Sequence, residues 1–207
     1  MPNVKASELI KWESGILGCG YVYSAKGEKC TIELLKQAQA QYGSTMGDGY
    51  FQKNGDYTKG RCGKWIGEIC YDCSGTLKAG RKALSGVWKD VSAQGLYDQC
   101  SKKRGTIANM QLAPGTLVFI YGIKQGRMVH VGTYIGGGYV IESRGVDYGV
   151  VKTKLSQRAW THFGQPDWID YDLPADGTKV ITGNESDSGD NSAPKKDDSN
   201  MVDLTRH

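Results

Sequence analysis

The chain changes its structural grammar once, at Pro114-Gly115, and that change limits its fold more than any other feature. Before it, apolar residues recur at helical spacing between capping residues. Ser7 is placed to cap a helix carrying Leu9, Ile10, Trp12, Ile16 and Leu17, ending near Gly18. Thr31 is placed to cap a second, with Glu33 in its first turn, Leu34, Leu35 and Ala38 on its apolar side and Gly43 as terminator. Residues 43–63 contain six glycines and read as a long surface loop. Asp72 is placed to cap a third helix, and residues 91–101 suit a fourth. After Pro114-Gly115 come β-rich segments at 116–121, 128–135, 139–142 and 150–153, separated by glycine-bearing turns. Helices first and an antiparallel sheet second define an α+β arrangement.

With 207 residues the chain suits one domain plus appendages. Residues 1–181 form the expected domain, and 182–207 form a flexible acidic tail or linker. From Asn184 to His207 six acids face three bases, which leaves about +7 on the preceding body out of a net charge of +4. A basic body favours a polyanionic surface such as nucleic acid, anionic lipid or a cell-wall polymer. Arginine-rich runs and aromatic–basic interleaving are missing, so nucleic acid is not the expected partner. No apolar run approaches the ~18 residues of a membrane span. Lys5, Glu8, Lys11 and Glu13 interrupt the stretch where a secretory signal would place its apolar region. Synthesis in the cytosol without an export signal is therefore the expectation, and with it that most of the six cysteines are free thiols.

Two segments carry chemistry. In Tyr71-Asp72-Cys73-Ser74-Gly75, a cap at Asp72 puts Cys73 in the first turn of a helix, facing free N–H groups and the positive dipole end. That setting is expected to lower the thiol pKa, and the same N–H groups can hold an oxyanion. In the second segment, His130 and Glu142 flank the glycine triplet 136–138. A three-residue turn there makes Gly132 face Glu142, with His130 diagonal on the same sheet face, and Gly132 leaves room for the carboxylate to reach the imidazole. A carboxylate on one ring nitrogen fixes the tautomer and leaves the other nitrogen to serve a thiol.

Tyr-Asp-Cys-Ser-Gly followed by His-Val-Gly-Thr-Tyr-Ile-Gly, with a polar residue twelve positions after the histidine, resembles the NlpC/p60 superfamily of papain-like cell-wall peptidases. Gly20-Tyr21-Val22-Tyr23 and Ala113-Pro114-Gly115-Thr116-Leu117-Val118-Phe119 extend the resemblance over roughly residues 5–170. It implies a papain-like α+β fold with Cys73 as nucleophile, His130 as general base and acid, and Glu142 as the orienting third residue. It also implies Tyr21 as the oxyanion or substrate tyrosine, with Tyr23 competing for the role, and Asp72 and Ser74 beside the substrate. Three departures stand out: Glu142 where His, Asn or Gln is usual, Thr116 where the family has aspartate, and a long separation between Tyr21 and Cys73. Residues 24–69 are accordingly expected to be an inserted subdomain, whose Tyr50, Phe51, Tyr57 and Trp65 suit either stacking on substrate or pinning a loop.

The resemblance implies hydrolysis of peptidoglycan stem peptide at the γ-D-glutamyl–diamino acid bond, with N-acetylmuramoyl-L-alanine amidase chemistry as the alternative. No cofactor or metal is expected. The setting it suggests is a phage endolysin, made in the host cytoplasm and acting at the wall after release, with a wall-binding module beyond the tail. Other readings carry less weight: a redox protein built on Cys70-Tyr-Asp-Cys73, a zinc site using Cys62, Cys70 and Cys73, or a wall-binding module without catalysis. His162 is expected to lie beyond the last sheet strand.

Overall fold

The computed structural model describes residues 3–101 and 103–177, so the segment 182–207 lies outside the described residues. In chain order the elements are β1 (Val4–Lys5), α1 (Ala6–Gly15), β2 (Lys26–Lys29), α2 (Ile32–Met46), a 3-10 turn (Arg61–Trp65), β3 (Ile69–Tyr71), α3 (Cys73–Ser85), α4 (Ala93–Asp98), β4 (Lys103–Thr106), β5 (Leu117–Gly122), β6 (Arg127–Gly136), β7 (Tyr139–Gly145), β8 (Gly149–Lys154), β9 (His162–Gln165) and β10 (Ile169–Asp170). Six strands form one antiparallel sheet in the order β4-β9-β5-β6-β7-β8. The expected α+β arrangement is the one found. Among the described residues, no helix is long and apolar enough to cross a membrane.

Strand alternation sorts the core into two faces. Leu117, Phe119 and Val131 pack with Leu9 of α1, Leu77 of α3 and Leu96 of α4. Val118, Tyr134 and Val140 point the other way, onto Leu155, Trp160 and Phe163. Helix α3 therefore lies on one face, while the chain after β8 covers the other.

The helix starts follow their caps where a side chain can reach. Thr31 Oγ1 accepts the Leu34 amide at 3.1 Å, Asp72 Oδ1 accepts the Gly75 amide at 2.5 Å, and Ser92 caps α4. Ser7 does not cap α1. That helix begins at Ala6 because Val4 and Lys5 pair with Ile169 and Asp170, and Ser7 bonds Asp172 instead. Helix α2 runs past Gly43 to Met46, with Gly47 at φ 77° behind it. Residues 43–63 are consequently not an open surface loop: Tyr50, Phe51 and Cys62 are buried with Val22, Cys30, Leu35 and Cys70 in a cluster of their own. His162 lies inside the sheet, because β9 pairs with both β4 and β5.

Candidate active site

The turn between β6 and β7 is not the expected three-residue one: Gly136 pairs with Tyr139, and a bulge between Tyr134 and Gly136 restores the expected register, Thr133↔Ile141 and Tyr134↔Val140, after which pairing stops although both strands continue. Into that open seam comes the chain that starts α3. Ser143 Oγ of β7 donates to the Tyr71 carbonyl at 2.8 Å, and the backbone N–H groups of Val131 on β6 and Ser74 on α3 face the Cys73 sulfur. Cys73 thus sits against the residue that follows His130. The segment before α3 is held from the other side, where the Asp72 amide donates to the Ala25 carbonyl at 2.7 Å. A Cβ on Gly75 would lie 2.1 Å from that carbonyl oxygen, so only glycine permits this approach.

His130 and Glu142 are brought together. His130 Nε2 lies 2.6 Å from Glu142 Oε2, with the carboxylate side chain fully buried and the imidazole 12% exposed. A Cβ on Gly132 would fall 3.1 Å from the Glu142 Cβ and 3.0 Å from the Ile141 carbonyl oxygen, so the missing side chain makes the room. Burial pushes the Glu142 carboxyl up, yet the hydrogen bond and charge of His130, then Arg158 and the Thr153 hydroxyl, more than offset it. The net pKa lies below the usual glutamate value.

Three supporting residues escaped the sequence reading. Thr153 of β8 donates to Glu142 Oε1 at 2.8 Å, and Arg158 Nε lies 3.2 Å from the same oxygen. Trp160 stacks beneath His130, with ring centroids 5.6 Å apart and planes within 17°. All three come from β8 and the loop after it, and only the Arg158-Ala-Trp160 run could have flagged them.

Cys73 does not behave as expected from its helix position alone. Burial, with the Asp72 charge second, pushes the thiol up to about 12, against the lowering contributed by the Val131 and Ser74 amides and Lys78. The helix terminus supplies donors, but desolvation wins.

Asp72 does not line the cleft. It is buried, its Oδ1 takes the Gly75 amide and the Ser74 hydroxyl, and its Oδ2 takes the Ser24 amide at 3.0 Å. Ser74 is buried too, with its hydroxyl committed to Asp72. Tyr21 and Tyr23 both lie close enough to Cys73 and Asp72 for those charges to raise their phenol pKa values, with burial the larger cause in each. Tyr21 is the more enclosed, and Cys73 is its largest charge neighbour.

Tyr50 and Phe51 are buried and edge-packed at 4.8 Å, so they pin the segment and offer no platform for substrate. Cys70 hydrogen-bonds Cys30 rather than Cys73, and β3 before α3 pairs antiparallel with β2, which is not the parallel setting of a redox Cys-x-x-Cys. Cys30, Cys62, Cys70, Cys73 and Cys100 are free thiols. Among the described residues, no group of three or more His, Cys, Asp or Glu side chains is arranged to hold a metal ion. His162 contacts Tyr97, Tyr121 and the Thr161 hydroxyl, and its pKa is lowered by burial.

Fold and site together define an α+β protein in which a helix-borne cysteine sits against Val131, the residue after a sheet-borne histidine that is paired with a buried carboxylate. The NlpC/P60 family model matches residues 18–165, more than half of the chain, and the chain belongs to that family. Its fold is the papain-like one of solved family members. NlpC1 from Trichomonas vaginalis superposes with a TM-score of 0.50 at 16% identity, over 79% of this chain and 44% of that one. The NlpC/p60 domain of the peptidoglycan hydrolase SagA is 16% identical with a TM-score of 0.47, over 78% and 99%. RipD from Mycobacterium tuberculosis, described as a non-catalytic NlpC/p60 domain protein adapted to peptidoglycan binding, is 18% identical with a TM-score of 0.44, over 77% and 95%. No match was found among curated proteins.

Proposed function

We propose that this protein is a cysteine peptidase of peptidoglycan that cleaves the stem peptide between γ-D-glutamate and the diamino acid. The observation that carries the reading is the His130–Glu142 pair at the seam where Cys73 lodges, in a chain of the NlpC/P60 family.

In this reading Glu142 accepts the Nε2–H of His130, which leaves Nδ1 as the working nitrogen. A thiol held near 12 does not ionise alone at neutral pH. The proton passes from Sγ to Nδ1, and the resulting imidazolium is stabilised by the buried carboxylate. The thiolate attacks the amide carbon, and the oxyanion takes hydrogen bonds from the Ser74 backbone N–H and the Tyr21 hydroxyl. His130 protonates the leaving amine, and a thioester remains. His130 then takes a proton from water, which attacks the thioester and releases Cys73. Trp160 holds the imidazole plane, and Arg158 and Thr153 hold the carboxylate.

We extend the proposal to a phage endolysin, made in the host cytoplasm and acting on the wall after release. Its support is a basic body suited to an anionic wall.

The test is digestion of purified peptidoglycan by the protein and by its Cys73→Ala variant, with new termini identified by mass spectrometry. A free amine on the diamino acid supports the endopeptidase. A free muramyl lactyl carboxylate assigns the amidase bond instead. Binding without peptide release would make the protein a wall-binding module, and undiminished cleavage by Cys73→Ala would overturn the scheme.

A further inference from the structure

A second concave surface lies on the outer side of α3. It is a groove of about 650 Å³ lined by Lys26, Gly27 and Glu28 of β2, by Ala79, Lys82 and Ala83 of α3, and by Trp88. The indole of Trp88 is 42% exposed, which is unusual for the largest apolar side chain. Its position is built rather than loose. Asp90, two residues on, accepts the Lys78 ammonium at 2.8 Å and the Lys26 ammonium at 2.8 Å, and the Lys78 side chain is only 5% exposed. That double ion pair clamps the loop after α3 against β2. Lys26 Nζ and Lys82 Nζ lie 6.0 and 5.6 Å from the Trp88 ring centre. Lys82 has no carboxylate partner among the described residues. Small residues at 27, 79 and 83 keep the floor low.

We infer that this groove binds a sugar residue of the wall polymer whose lactyl carboxylate bears no stem peptide, with the ring against Trp88 and the anion at Lys82. The exposed part of the indole offers apolar area to a pyranose, and Lys82, the ammonium over the ring that is left without a carboxylate, favours an acidic one. Glu28 rejects a second anion on the β2 side, so one end of the groove is favoured for the charge. The inference rests on the peptidoglycan reading above, and it adds a site apart from the cysteine. The two are mechanically continuous. Lys26 follows Ala25, whose carbonyl holds the Asp72 amide, and Cys73 and Lys82 stand nine residues apart on one helix, ~14 Å along its axis.

The test uses two substrates and one binding probe with the full chain. Trp88→Ala should raise KM on intact peptidoglycan at least about fivefold and leave kinetics on a free, sugar-less stem peptide unchanged. Lys82→Gln should weaken the same step by about two- to fivefold, with the effect shrinking at high salt. Equal effects on both substrates, or none on either, would overturn the groove. The binding probe is glycan strands stripped of peptide, whose lactyl carboxylates are free. Wild type should be retained on them and Trp88→Ala should not. Equal retention refutes the inference even if the protein proves to cleave nothing, and lost retention in Trp88→Ala upholds it even if the hydrolase reading fails.

Discussion

Glu142 Oε2 stands 2.6 Å from His130 Nε2 across strands that have ceased to pair, so a side-chain contact spans a gap where the backbone ladder is absent. The carboxylate has no exposure, and its other oxygen is occupied by Thr153 and Arg158. Its anionic form is thereby fixed, and with it the orientation of the ring.

Replacing Glu142 by Gln keeps the shape and removes the charge that stabilises the imidazolium. We expect kcat on stem peptide to fall by about 10- to 100-fold with a smaller change in KM. Because the folded Glu142 pKa is depressed, its stabilising contribution exists above the unfolded value near 4.5 and is lost as pH falls through the folded value. Urea titrations of wild type and Glu142→Gln should therefore converge in acid. Parallel pH curves would remove the charge from the account.

Burial holds the Cys73 thiol near 12, so its thiolate at neutral pH depends on an imidazolium partner. Alkylation of Cys73 by iodoacetamide at pH 7.5 should slow by about 100-fold in His130→Ala. Peptide mapping of the modified cysteine reads this directly. Rapid labelling without His130 would mean that the helix start alone ionises the sulfur.

Trp160 stacks under His130 and is 4% exposed. Trp160→Phe should retain most of the stacking, while Trp160→Leu should lower kcat about tenfold and broaden the pH–rate profile as the ring loses its plane. Matched thermal melts separate this from a packing loss, since both variants shrink the same buried side chain.

Glu13 is fully buried in α1, with Thr133 donating to Oε1 at 3.0 Å and Oε2 without a partner. Burial raises its pKa from 4.5 to about 8. The folded state keeps a proton that the unfolded chain loses, so stability declines as pH rises from about 4.5 to about 8 and levels off above it. Glu13→Gln should remove that slope and be more stable at pH 8 by on the order of 3 kcal/mol. Equal pH dependence in chemical denaturation of the two proteins would contradict the assignment.

Much of this molecule was readable along the chain because its signals are local. Asp72 caps the helix that begins at Cys73, and glycines 137 and 138 make the turn that returns β7 beside β6, while the bulge between Tyr134 and Gly136 that puts Glu142 on the face of His130 had no signal in the sequence. Signals that depend on distant partners were not readable. The strand β9 carries only four residues and owes its place to β4 and β5, and Val4–Lys5 become a strand only beside Ile169–Asp170. Gly43 looked like a helix end, yet α2 continued because its apolar side packs on Tyr50, Phe51 and Cys62, for which no local rule accounts.

Residue spacing and turn chemistry by themselves determined that a cysteine would open a helix and that a histidine and a glutamate would lie on adjacent strands of one hairpin, whose shared face a bulge then set. Short-range hydrogen bonds enforce both. Only the tertiary structure decided the protonation behaviour of the thiol, the fate of Asp72 as a buried brace, and the support of His130 by Trp160, Arg158 and Thr153. Those depend on which surfaces close over one another, and desolvation is a property of the assembled interior, where no neighbour in the sequence can set it.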